Sequence, residues 1–402
     1  MRRVVITGLG VISPIGQNVT EFGRNLFAGT VAVRPVSFAR NQGDFTFLGC
    51  PIADYKPEDH FDLKRLNFYD RFAQFAVVAA REAWRSSGIT MTAALAPKVA
   101  TIIGTGAGGQ VTLEESYDRL NSSSGRLHPL TIPRLMANAG ASQVSMDIGA
   151  QGPAFTIASA CASATHAIGV AMHMVRSGAV EIAVTGGSEA CLTYGTLKGW
   201  EALRVMAPDF CRPFSKDRQG MMLGEGGGAL VLESLESAQA RGATIYAELA
   251  GFGMSADAKD ITTPDADGMA RAVQGALDDA RINAAEVDYI NAHGTGTRAN
   301  DVTETKALYQ VLGERAGRVP TSSSKSMFGH LLGGAGALET VATVLALREQ
   351  KAPPTMGYLG TDPDCALDVV PNQSRAVAMN IALKNSFAFG GLNAVLALKK
   401  FG

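Results

Sequence analysis

The 402-residue chain is short of cysteine, histidine and aromatic side chains, and carries almost no net charge. Its five cysteines (Cys50, Cys161, Cys191, Cys211 and Cys365) are odd in number, dispersed and never spaced C-x-x-C. That argues against a disulfide framework or a zinc site and for a reducing compartment. The net charge of −1 excludes bulk attraction to nucleic acid or to an anionic membrane. A lipid-spanning run is missing too. The longest apolar stretch, Ile157 to Val175, holds His166, His173 and several small residues, which suits a helix buried inside a protein. Two arginines precede apolar residues at the N-terminus, as in a signal peptide. However, Gly8, Gly10, Pro14 and Gly16 break the run and no small-x-small cleavage site follows, so it reads as a first β-strand. The expectation is a soluble cytoplasmic protein with no nucleic-acid or membrane partner, long enough for two or three domains.

What is present is organised around Ala158-Ser-Ala-Cys-Ala-Ser163. This stretch joins a strand-like run, Phe155 to Ile157, to a helix from about Ala162 to Arg176. Small residues on both sides of Cys161 leave its tip open at a sharp strand-to-helix turn. A helix N-terminus there would favour a thiolate. By residue type alone a buried structural cysteine is the commoner case, so partners are needed elsewhere in the chain.

Val4-Val-Ile-Thr-Gly-Leu-Gly10 reads as a strand buried on both faces. Its Gly8-x-Gly10 is a poor dinucleotide fingerprint, since Ser13 replaces the third glycine and Pro14 and Gly16 break the helix. Polar residues 52–75, with Lys64, Arg65 and Arg71 close together, read as an ordinary solvated face. A helix is expected from Asp70 to Ser87, then a strand at Val99–Ile103 running into Gly104–Gly109, a loop-rich region from Asn121 to Pro133, and strands at Glu181–Thr185 and Gly228–Leu232. From about residue 245 the order restarts. Tyr246–Gly253 echoes the opening strand, Val287–Asn291 with Gly294-Thr-Gly296 echoes the 100–106 segment, the helix Gly333–Leu347 matches the Cys161 helix, and Leu392–Leu398 matches the strand at 228–232. The reading is a duplicated α/β protein with halves 1–245 and 246–402, whose parallel or mixed sheets are covered by helices. Loops at the strand ends of both halves would then converge on Cys161. Among six histidines, His293 and His330 lie in glycine-rich turns, the latter near Lys325, and read as catalytic. His166 and His173 read as core residues, and His60 and His128 as surface residues.

Four motifs in order resemble the β-ketoacyl-acyl-carrier-protein synthases, most closely the synthase II group and its polyketide and nodulation-factor relatives. They are Ala160-Cys-Ala-Ser163, His293-Gly-Thr-Gly-Thr297, Lys325-Ser-Met-Phe-Gly-His330 and Phe389-Gly-Gly391. The resemblance implies the thiolase fold, a duplicated αβαβα five-layer arrangement with two mixed sheets and buried central helices, working as a dimer. It implies that Cys161 takes an acyl chain from acyl carrier protein or coenzyme A, with the N–H groups of Cys161 and Phe389 as oxyanion hole. His293 and His330 would hold the malonyl thioester and its enolate, and no metal or cofactor would be needed. Lys325 would support His330, Glu339 would hold that loop, Thr295 and Thr297 would line the pantetheine tunnel, and Phe389 would gate the acyl pocket. The resemblance also implies that Ala107 lies against the distal acyl channel. Lys64, Arg65, Arg126 and Arg204 partly match the basic patch that greets the acidic carrier protein.

The chain departs from the common family pattern at Ala107, Arg298, Phe328, Ala388 and Leu392, which bears on substrate and pathway more than on chemistry. A degradative thiolase would need a second cysteine as base, and Cys365 lies outside any such motif. A non-catalytic chain-length subunit would lack Cys161, although the chain could be the active half of such a heterodimer.

Overall fold

The computed structural model describes residues 2–40, 43–122 and 125–402. Met1, at the head of the expected N-terminal half, and residues 123–124, in the expected loop-rich region, lie outside them. In chain order the strands of the first half are β1 (Val4–Ile12), β2 (Arg34–Arg40), β3 (Gly43–Gly49), β4 (Val99–Gly104), β5 (Ala154–Ile157), β6 (Ile182–Glu189) and β7 (Gly226–Ser234). Those of the second are β8 (Ala247–Ala256), β9 (Tyr289–Asn291), β10 (Pro320–Ser322), β11 (Lys351–Ala352), β12 (Asp368–Val369), β13 (Arg375–Ala376), β14 (Ile381–Ala388) and β15 (Leu392–Lys399).

Nine consecutive buried residues make β1 a central strand. The main sheet has the order β12-β10-β9-β14-β15-β8-β1-β7-β6-β4-β5. Its pairing is symmetric about the contact between β1 and β8. From β1, the steps to β7 and β6 are antiparallel and those to β4 and β5 are parallel. From β8, the steps to β15 and β14 are antiparallel and those to β9 and β10 are parallel. The two expected mixed sheets are therefore joined. Three antiparallel pairs at Val4–Leu249, Val5–Glu248 and Ile6–Ala247 make them one eleven-stranded sheet.

Helix Arg71–Ser87 covers β1, β6 and β7, and helix Ala266–Ala280 covers β8 and β15. Between the two halves, helices Ser163–Ser177 and Ala335–Glu349 pack on each other and on strands of both. That is five layers. Every residue from 335 to 347 is buried, as an all-round apolar helix requires. The two central helices meet so closely at Gly336 that a Cβ there would come within 2.2 Å of Thr165 Oγ1. Each is preceded, three residues before its start, by a non-glycine residue in the left-handed region: Ala160 (φ 48) and Leu332 (φ 46). Such backbone costs on the order of 1–3 kcal/mol per residue, and its recurrence marks the duplication.

Several local expectations need correction. The Cys161 helix is not buried all round. His173 is exposed and His166 half-buried, with His166 Nδ1 2.8 Å from Ser159 Oγ. His60 and His128 are half-buried, and His60 stacks on Tyr55. Arg71 is not solvated, because it forms a two-pronged pair with Glu225 at 2.6 and 2.8 Å over the rings of Tyr55 and Phe75. No helix among the described residues is long and apolar enough to cross a membrane.

Candidate active site

Cys161 sits in the turn between β5 and its helix. Ser163 Oγ donates to the Ala160 carbonyl at 2.6 Å and accepts from the Ser159 N–H at 2.8 Å, which fastens the turn. The helix begins two residues later, so Cys161 lies just before its N-terminus. Even so, burial pushes the thiol up to about 12, with Lys325 pulling the other way. The expected resting thiolate is therefore outweighed by desolvation. Burial raises the other four cysteines as well, and all five are free. What separates Cys161 from them is its surroundings.

His293 follows β9 and His330 follows the short helix Lys325–Phe328. Their rings stand nearly perpendicular, with centroids 5.4 Å apart. The sulfur of Cys161 and a nitrogen of each ring all lie within 4.8 Å of one another. Both histidines are buried, and burial followed by the charge of Lys325 holds them well below the usual imidazole range. They are neutral at pH 7. Lys325 Nζ donates to the His293 carbonyl at 2.5 Å, approaches His293 Nδ1 at 3.4 Å and pairs with Glu339 Oε1. An ammonium can only donate, so His293 Nδ1 faces it as an acceptor and Nε2 keeps the proton. Neither ring nitrogen of His330 has a partner among the described residues. An unpartnered buried donor of this kind is ready for a substrate oxygen.

These groups line a cavity of about 340 Å³. Cys161, His293, His330, Thr295, Thr297 and Phe389 all face it. The Thr295 and Thr297 hydroxyls are 2.8 Å apart, and Thr297 also caps helix Arg298–Leu312. Phe389, at the turn between β14 and β15, is 36% exposed and stacks on Trp200 at 5.7 Å. Ala107 does not line this cavity. It is exposed, and its N–H donates to Glu189 at 3.2 Å.

Two family descriptions match the chain: the β-ketoacyl synthase N-terminal domain over residues 1–238 and the C-terminal domain over residues 246–359. The chain belongs to the β-ketoacyl synthase family. It is 45% identical over 400 residues to Nodulation protein E of Rhizobium sp. (strain N33), with 99% of each chain covered. It is 40% identical over 408 residues to 3-oxoacyl-(acyl-carrier-protein) synthase 2 of Staphylococcus aureus (strain COL), covering 100% of this chain and 99% of that one. Among solved structures it resembles the ishigamide ketosynthase/chain length factor, with a TM-score of 0.94 and 39% identity over 100% of both chains. As a member of this family, the chain is an acyl-transferring condensing enzyme.

The synthase holds its site with buried charges that sequence reading missed. Glu304 accepts the His293 and Gly294 N–H groups, both at 2.8 Å, and the Asn385 amide at 3.1 Å. Asp301 accepts the Phe214 N–H at 2.8 Å. Glu189 gathers the N–H groups of Gly106, Ala107 and Gly333. Glu339, which was expected, carries Lys325 on one oxygen and the unexpected Lys384 on the other, at 2.9 Å. The acids on helix Arg298–Leu312 look like a solvated face in sequence, but a lysine directly after the apolar residues Ile381–Leu383 is a signal.

Lys64 and Arg126 are exposed, and Arg65 reaches Asp147 at 3.2 Å. Arg204 is exposed between Leu203 and Val205, both of which line the cavity.

Proposed function

We propose that the chain is a β-ketoacyl-acyl-carrier-protein synthase that lengthens an acyl group by two carbons. The carrying observation is one thiol and two neutral imidazoles within 4.8 Å of one another in one cavity. The Cys161 sulfur attacks an acyl thioester, and the thiol proton leaves with the carrier thiol. The N–H groups of Cys161 and Phe389 receive the oxyanion, each such donor being worth roughly 3–4 kcal/mol of barrier. His293 Nε2–H and a ring N–H of His330 then hold the malonyl carbonyl. Loss of carbon dioxide leaves an enolate between these donors, and its carbon attacks the acyl-Cys161 carbonyl. The C–S bond breaks, and the departing thiolate takes one proton from solvent, the single proton that the whole cycle consumes. A protonated resting thiol and neutral histidines suit this order, because negative charge enters the site only with the substrate.

Acyl carrier protein in its acyl and malonyl forms is the proposed partner, met by Lys64, Arg65, Arg126 and Arg204. Of these, Arg204 has the strongest support from its place beside cavity-lining residues. The acting unit is proposed to be a homodimer. In support, the edge strand β5 exposes Phe155, and Leu127, Ile132 and Met136 are exposed as well. Such a dimer would cover the exposed Ala107 and leave it free to serve a distal channel. A heterodimer with a chain-length factor is the second reading, favoured by the likeness to a ketosynthase/chain length factor structure. Fatty-acid or polyketide synthesis in the cytoplasm, and residues 1–245 and 246–402 as the two units, complete the proposal. Intact-mass spectrometry after incubation with an acyl-carrier thioester tests it. The expected result is one acyl adduct that maps to Cys161, and an adduct on another cysteine would overturn the mechanism.

A further inference from the structure

Lys384 lies in β14, in register with Asn291 of β9 on one side and Leu396 of β15 on the other. It is fully buried. Its Nζ lies 2.9 Å from Glu339 Oε2 and donates to Thr165 Oγ1 at 3.1 Å and to Ser386 Oγ. The two hydroxyls are 2.8 Å apart. Two donors of the ammonium go to these hydroxyls, and Glu339 Oε2 faces it as an ion pair. Thr165 is one turn beyond Cys161 on its helix. Glu339 bears Lys325 on its other oxygen, and Ser386 leads through Phe387 to the gate residue Phe389. Three parts of the site thus meet on one charge.

The charged groups facing Lys384 are few. They are Glu339 on helix Ala335–Glu349, Lys325 on helix Lys325–Phe328 and Glu304 on helix Arg298–Leu312, and the titratable His293 and His330 also feel its charge, which opposes their protonation. The Cys161 helix offers the Thr165 hydroxyl, and the strands on either side offer Asn291 and Leu396. The two lysines balance the two glutamates in this buried cluster. Without a charge on Lys384 the cluster becomes negative beside a pocket where a malonyl carboxylate must bind and an enolate must form. At low local dielectric such a charge acts on the pocket strongly.

We propose that Lys384 is a positioning residue whose positive charge, set against Glu339 and shared with Lys325, favours malonyl decarboxylation at His293 and His330. The proposal rests on the condensing-enzyme reading above. Burial draws the ammonium down to about 8, so its charge fades as pH rises from 7 to 9, while both histidines stay neutral throughout.

The test uses Cys161→Ala enzyme, so that thiol ionisation does not enter, with malonyl-carrier thioester as probe and released carbon dioxide as readout. Decarboxylation is expected to fall about tenfold between pH 7 and 9, about 1.4 kcal/mol in barrier, with a midpoint near 8. Adding Lys384→Met, or Lys384→Gln (which keeps a donor toward Glu339 without its charge), should give a low, pH-independent rate. A flat profile in the Cys161→Ala enzyme overturns the role of Lys384 even if neither Lys384 variant folds. An alkaline fall that survives in folded Lys384 variants overturns it as well. No carbon dioxide at any pH in the Cys161→Ala enzyme would instead overturn the underlying mechanistic reading.

Discussion

Helices Ser163–Ser177 and Ala335–Glu349 hold equivalent places in the two halves, yet the chain has spent them differently. Both follow a left-handed residue, Ala160 or Leu332, and both lie between the sheet halves. The first carries Cys161, the proposed nucleophile, just before its start and reaches solvent at His173. The second is buried from 335 to 347 and carries Glu339, which anchors two lysines. One duplicated frame therefore supports two electrostatic tasks. The first half supplies a neutral, desolvated thiol, and the second supplies a charge-balanced cradle for neutral histidines.

The comparison breaks most sharply at the proposed nucleophile. Cys161→Ala should remove acylation and lower condensation at least about a thousandfold, roughly 4 kcal/mol. Residual condensation within tenfold of the parent enzyme would mean that the second half can accept acyl chains alone.

His293→Ala and His330→Ala probe the other half. Each should lose condensation by at least about tenfold more than acylation of Cys161, or roughly 1.4 kcal/mol. Equal losses would show a histidine activating the thiol. The same pair sets the acid limb. Their folded pKa values lie well below 6.5, so condensation should persist as pH falls through that value. The linked stability has the opposite consequence. The unfolded histidines take up protons first, so stability is complete above about 6.5 and drains as pH falls toward the folded values. A condensation profile that halves near 6.5 would contradict the neutral, buried imidazoles.

Much of this division was legible in the chain. Strands that end in glycine gave the repeat, because only strands buried on both faces read as unbroken apolar runs. Cys161, His293, His330 and Lys325 stood in motifs that the fold does bring together, and Glu339, implied by the family resemblance, joins them. The joined sheet was not legible, since three residue pairs between β1 and β8 leave no pattern. Nor was the hairpin of β2 and β3, whose Val36, Phe38 and Phe47 pack on the cluster around Cys161. Glu304 and Asp301 were hidden for a different reason. Their carboxylates hold backbone N–H groups of other segments, His293 and Gly294 for Glu304 and Phe214 for Asp301, and polar residues on a helix look the same whether they face water or an inner loop.

Smaller effects sharpen the comparison at the periphery. Charge reversal at Arg204, and to a lesser extent at Lys64, Arg65 and Arg126, should raise KM for carrier-bound substrate about threefold to tenfold. Small thioester mimics should change less, and the difference should shrink at high salt. Equal effects on both substrate classes would reduce these residues to solvated surface.

The smallest effects concern Ala388 and Ala107. Ala388 ends β14 opposite Leu392 and is absent from the left-handed residues, whereas Gly390 (φ 80) and Gly391 (φ 66) supply the turn. Ala388→Gly should therefore broaden the accepted chain range less than twofold, by loosening the unfolded chain and the gate together. Ala107→Ile should shorten the longest chain loaded on Cys161 only where a partner subunit closes over it. An unchanged chain-length profile for both would remove these positions from substrate selection.

The division of labour between the halves is tested most directly by carbon dioxide release from malonyl-carrier thioester at pH 7. Cys161→Ala alone should retain release, and Cys161→Ala with His330→Ala should lose it by at least about a hundredfold, roughly 2.7 kcal/mol. Release abolished by Cys161→Ala alone, or retained in the double variant, would contradict the account.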